Sequence, residues 1–170
     1  MLAASFMLCV LMAPSRMLAK VPTSRITIQG GGLNAPIEIT DANVLGRFFV
    51  WADGGTSPNQ ASAFIIDGSR GPAAERPKGL RRYEVSFYAK LPEERLIYVV
   101  QYELDPSTGK GYVHLPGRGE KWYRLNVSTI LRGVEGNWFH AWEVWDKAVR
   151  PLIDEASTNR ASGSRDCSSH

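Results

Sequence analysis

Little in this sequence offers ready-made chemistry. The 170 residues include two cysteines and three histidines. Two cysteines exclude a disulfide scaffold and a Cys-rich zinc module. No stretch approaches about 18 consecutive apolar residues, which excludes an ordinary transmembrane helix. Charge of one sign is scarce too: the formal net charge is +3, far short of the basic footprint of a dedicated nucleic-acid binder. Nucleic acid is therefore not an expected partner. At 22 % charged and 44 % hydrophobic residues the composition is globular rather than disordered, and the length suits one domain. What the chain does have is aromatic side chains, including five tryptophans.

The first twenty residues read as an address. Leu2–Ala13 is LAASFMLCVLMA, uncharged throughout and of the length of a secretory h-region. Small residues at Ala13 and Ser15 fit cleavage after Ser15; cleavage after Ala19 places Met17 at the −3 position. No Lys or Arg precedes the run, so only the terminal amine supplies positive charge. The expectation is a signal peptide over 1–19 and an extracytoplasmic product, periplasmic or secreted. A start at Met17 would delete the signal and leave the protein cytoplasmic. Cys9 lacks the small neighbours of a lipid-modification site. After cleavage only Cys167 remains, so no internal disulfide can form. Loss of Arg16 lowers the net charge by one.

Alternation and turn residues organise the rest of the chain. Ile26 and Ile28 alternate with Thr27 and Gln29, Gly30–Gly32 stop the strand, and Ile37 and Ile39 repeat the pattern, which predicts a hairpin. Thr40 suits a helix N-cap with Asp41 in the first turn. Ile39 and Val44 stand in the spacing of a hydrophobic staple, and a short helix through Leu45, Phe48 and Phe49 is expected. Ala63–Ile66 is a short apolar strand. Residues 67–80 are irregular and basic. Tyr83, Val85 and Phe87 then share one face of a strand, and Tyr98, Val100, Tyr102 and Leu104 share one face of the next. The Asp105–Gly111 turn, with its Pro and Gly, leads to Tyr112–Leu115. Trp122–Leu125 reads as a further strand and Asn126 as the cap of a helical turn. From Asn137 the positions Trp138, Ala141, Trp142, Trp145, Ala148, Val149 and Leu152 recur at helical spacing, with Pro151 expected to kink or end the helix. Residues 157–170 form a polar tail without large apolar side chains, expected to be disordered.

Three blocks, ITIQGGGLNAPIEITD (26–41), GYVHLPGRGEKWYRLNVSTILRG (111–133) and EGNWFHAWEVWDKAVRPLI (135–153), resemble a family of small exported bacterial proteins to which no activity is assigned. The resemblance implies export and a one-domain product, and it carries over no catalytic residue.

Each reactive pattern weakens when tested. The Gly30–Gly32 run lacks the following helix and the Gly-Lys-Ser/Thr ending of a phosphate loop. Gly68-Ser69-Arg70-Gly71 lacks the glycine two positions before the serine of a nucleophile elbow. His140, Glu143 and Asp146 follow at three-residue steps but match no recognised metal spacing, so neither a metal nor another cofactor is expected. Glu84 and Glu103, on adjacent strands, are a carboxylate pair only if the register opposes them. The basic stretch Arg70–Arg82 reads first as a solvated loop.

The expected fold is α+β: an antiparallel β-meander packed against a C-terminal amphipathic helix, with a short helix after the first hairpin. The domain spans 20–156, and Trp138, Trp142 and Trp145 are read chiefly as core. The leading expectation is a non-enzymatic binding or structural module of the cell envelope. One alternative is an extracytoplasmic, hydrolase-like enzyme drawing on His114, His140, Glu143 and Arg124. The other is a saccharide-binding module using exposed rings, with Trp51, Trp122 and Tyr123 as candidates.

Overall fold

The computed structural model describes residues 20–163. Strand β1 (Thr23–Gly30) forms where the isoleucines alternate. β2 (Ile37–Ile39) returns antiparallel to it with Ile26 opposite Ile39. Gly30, Gly31 and Gly32 all take positive φ, a region glycine enters without steric cost, and the Leu33 N–H closes the turn on the Gly30 carbonyl at 2.9 Å. Gly31 has a second reason to lack a side chain: a Cβ there would stand 2.1 Å from the Tyr83 ring.

Helix α1 (Ala42–Leu45) is capped by Asp41 rather than Thr40. The Asp41 carboxylate accepts the N–H groups of Asn43 and Val44, so the acid serves as the cap rather than as first-turn charge. The helix ends at Leu45 instead of reaching Phe49. Phe48 is drawn into a parallel bridge with Ala63, and its ring goes to the core. Gly54 and Gly55 form β3 (Gly54–Gly55), parallel to β4 (Phe64–Asp67). A side chain at Gly55 would meet the Trp142 indole at 2.3 Å.

β5 (Arg81–Lys90), β6 (Glu94–Leu104), β7 (Gly111–His114) and β8 (Trp138–His140) complete a six-stranded sheet of order β2-β1-β5-β6-β7-β8, antiparallel throughout. The face carrying Ile26, Ile28, Val85, Phe87, Tyr98, Val100, Tyr102 and Val113 is buried, as the alternation requires. Helix α3 (Glu143–Gly163) covers it with Trp145, Val149 and Ile153, spaced four apart and so on one stripe.

Further expectations fail for physical reasons. Trp122–Leu125 is not a strand: α2 (Tyr123–Thr129) begins inside it. Asn126 does not cap that helix but sits within it. Its amide accepts the Val99 N–H at 2.9 Å and donates to the Val99 carbonyl at 2.7 Å. β7 pairs with β6 only from Gln101 onward, so Val99 has no strand on that side and the buried amide replaces one. Asn126→Ala strands both Val99 groups, and a loss of about 2 kcal/mol is expected in urea unfolding. Finally, the helical spacing read from Trp138 is split. Residues 138–140 pair with the free edge of β7, placing Phe139 inward opposite Val113, and the helix starts at Glu143. His140 and Glu143 are thus not neighbours on one helix. Pro151 lies inside α3 without ending it; both Pro151 and Lys147, whose carbonyl loses its partner, face solvent, where water serves instead. α3 continues through 157–163, the first half of the expected tail.

Candidate functional site

The other face of the sheet is where polar side chains gather. Register sets them in two rows. One runs Gln29, Glu84, Gln101, His114, Trp138 and the other Arg82, Glu103, Tyr112, His140, each residue opposite the next on the neighbouring strand. Glu84 and Glu103 therefore do not oppose one another, and each has its own donors. Glu103 is almost wholly buried and is clasped between the guanidinium groups of Arg76 and Arg82. Arg76 also lies over the Trp138 ring at 3.9 Å, and Trp138 stacks on His114 at 4.9 Å. Both arginines are read in the sequence as part of a solvated basic loop; Arg82 lies on β5, and Arg76 fastens the segment before β5 to the sheet.

His114 is nearly buried. Its Nε2 lies 2.8 Å from the Glu120 carboxylate and its Nδ1 3.2 Å from the Asn137 carbonyl. The Gly117 N–H, and after it the His114 ring, hold the Glu120 carboxyl below the usual carboxylate range. This clasp ties the Pro116–Glu120 turn to β7.

Trp122 follows that turn and is the one described non-glycine residue with positive φ, at 76°. For a bulky side chain that conformation costs about 1–3 kcal/mol and persists only where neighbours impose it. Here the indole Nε1–H donates to Glu84 at 2.7 Å and Lys121 reaches the same carboxylate oxygen at 3.2 Å, its ammonium 4.4 Å from the ring. Gln29 supplies a third donor at 2.7 Å. Burial pushes the Glu84 carboxyl up, but these three donors outweigh it and hold the group below its ordinary value. The two partners of this bond line different recesses. One, of about 640 Å³, is walled by Arg118, Glu120, Trp122, Tyr123 and Arg124. The other, of about 400 Å³, has Glu84, Gln101, Gln29 and Arg82 around it. The half-buried Gln101 amide has no hydrogen-bond partner among the described residues, which leaves a donor and an acceptor open at the floor.

The remaining candidates lie elsewhere. Trp51 is half-buried, tilted against Phe49 at 5.5 Å, in a small recess with Leu91, Ile97 and Leu125. His140 and Glu143 share a separate recess at the start of α3. Ser69 donates its hydroxyl to Asp67 at 2.6 Å in a local turn. The structure thus brings Trp122, Tyr123 and Arg124 to one wall with His114 braced behind them through Glu120, and it leaves His140, Glu143 and Trp51 outside that group. Sequence reasoning misses Gln101, Glu120 and Trp138 in this role. The available signal is Gln101 and Glu103, polar residues placed on one face of an otherwise apolar strand.

No family model, curated protein or solved structure matches the chain.

Proposed function

We propose that the chain is an exported, non-enzymatic binding module of the cell envelope, and that the outer sheet face takes a saccharide. The observation that carries the reading is Trp122, held in a strained backbone conformation with its ring locked to Glu84 beside the open Gln101 amide. A rigid indole with fixed orientation gives a flat apolar platform for the C–H face of a sugar ring, while planar amide and guanidinium groups meet hydroxyls edge-on. Because Glu84, Glu103 and Glu120 are each engaged by internal donors, they act as braces rather than as acids or bases awaiting a substrate. The uncharged Leu2–Ala13 segment supports the export half of the reading; it lies outside the described residues.

The test is a glycan array followed by tryptophan-fluorescence titration with the best-bound oligosaccharide. Trp122→Ala and Gln101→Ala are each expected to weaken binding at least about tenfold, the scale of one lost aromatic or hydrogen-bond contact in a site. Trp51→Ala is expected to leave it unchanged. Binding that survives both outer-face substitutions, or no binding on the array, overturns the saccharide reading. N-terminal sequencing of the processed protein tests export separately: a cytoplasmic product beginning at Met17 refutes it.

A further inference from the structure

On the other side of β8, where the β6–β7 turn meets the start of α3, lies a recess of about 390 Å³. Besides Lys147, which is taken up by Glu143, three cations face it from three separate segments: Arg70 after β4, Lys110 in the turn, and Arg150 on α3. None of the three forms an ion pair with a described residue. The carboxylates around the same recess are already engaged. Asp67 accepts the Ser69 backbone N–H at 3.0 Å and the Ser69 hydroxyl at 2.6 Å. Glu143 pairs with Lys147 at 2.6 Å. Asp146, itself buried, accepts the Tyr102 hydroxyl at 2.8 Å on one oxygen and the Gly111 N–H at 2.9 Å on the other.

The backbone is shaped to allow this convergence. A Cβ at Gly109 would strike the Arg150 guanidinium at 2.2 Å, and one at Gly111 would strike Asp146 at 2.3 Å. The two glycines of the turn therefore admit the arginine and the aspartate as well as serving the turn itself. His140 closes the recess, its ring against Tyr112 at 5.2 Å and its buried Nδ1 without a hydrogen-bond partner among the described residues.

Like charges held around one concavity repel each other, and a bound anion converts that repulsion into attraction. From this juxtaposition we infer that the recess is an anion site for a phosphate group, held by Arg70, Lys110 and Arg150 with the His140 ring at its edge. The three cations line neither of the outer-face recesses at Trp122 and Gln101, so the two readings are tested by separate substitutions. Arg contributes a planar fork and Lys a point charge, the pairing that suits a multi-oxygen anion.

Calorimetric titration of the full chain at low ionic strength tests it, with inorganic phosphate in one arm and a phosphomonoester, glycerol phosphate, in the other. Saturable binding is expected in at least one arm, and the tighter arm tells a free ion from an esterified group. Arg150→Ala and Lys110→Gln are each expected to weaken it about tenfold, the scale of a lost charge-assisted hydrogen bond. Both residues are exposed, so the fold is retained. Lys90→Ala, at the opposite end of β5, is expected to bind like the parent. Absence of saturation in both arms, or affinity unchanged by both substitutions, overturns the inference.

Discussion

Trp145→Ala is expected to remove about 3–5 kcal/mol of unfolding free energy. The indole is fully buried and stands at the junction of both secondary-structure layers. Phe48 meets it edge-on at 5.0 Å, Tyr102 edge-on at 6.0 Å, and Phe87 tilted at 6.4 Å. These partners come from the segment after α1, from β6 and from β5, so no single element can move in to refill the hole, and the cavity adds to the lost transfer energy. Domains of this kind have about 5–15 kcal/mol in all, so the variant gives up a large share. The indole N–H has no hydrogen-bond partner among the described residues. Trp145→Phe therefore discards no bond and is expected to cost clearly less than the alanine. Urea unfolding checks both: the midpoint should fall with the slope unchanged. A loss below about 1 kcal/mol for the alanine would mean that the three rings collapse onto one another, contrary to the rigid packing of a native core.

The parts of this fold that were legible in the sequence are those in which a local period has one reading. Ile26/Ile28, Val85/Phe87 and Val100/Tyr102 alternate over strands long enough to exclude a helix, and the glycine run between β1 and β2 admits only a turn. The segment Trp138–Trp145 carries two periods at once. Its apolar positions satisfy helical spacing, yet Phe139 flanked by Trp138 and His140 also alternates, and the choice fell to a partner distant in sequence, the open edge of β7. Asn126 is a similar case. An asparagine before a helical stretch reads as a cap, and only the early end of β7 reveals that Val99 needs its amide. Site residues were legible as types rather than as groups. Trp122, Tyr123 and Arg124 are neighbours along the chain, so one element positions all three. Glu84 and Glu103 required the register of β5 against β6, which places each opposite a different residue and hands each a different set of cations. Arg70, Lys110 and Arg150 lie far apart in sequence, and no spacing rule joins them.

The stability contributed by Asp146 is expected to fall as pH rises from about 4 to about 6. Burial pushes the Asp146 carboxyl up to about 6, against the opposing pull of the Tyr102 and Gly111 hydrogen bonds. Released by unfolding, the group returns to 3.8. The folded chain thus holds a proton through this window that the unfolded chain has shed, and linkage makes each step up in pH unfavourable. The contribution is fully present below about 4 and gone above about 6; the gap between the two values is worth about 3 kcal/mol. Glu84, Glu94, Asp105 and Glu120 act with opposite sign. Their carboxyls lie below the ordinary value in the folded chain, so the stability they supply is present at neutral pH and lost as acid protonates them. A single melting curve mixes the two trends, and the informative quantity is the difference between the parent and Asp146→Asn. Asparagine cannot ionise, so the variant lacks the window whatever its absolute stability. Relative to the parent, it should gain about 3 kcal/mol between pH 4 and pH 7, or roughly 6–12 °C in Tm at about 2–4 °C per kcal/mol. If the two Tm profiles run parallel across that range, Asp146 is ionised in the folded chain at acidic pH, and its two hydrogen bonds outweigh its burial.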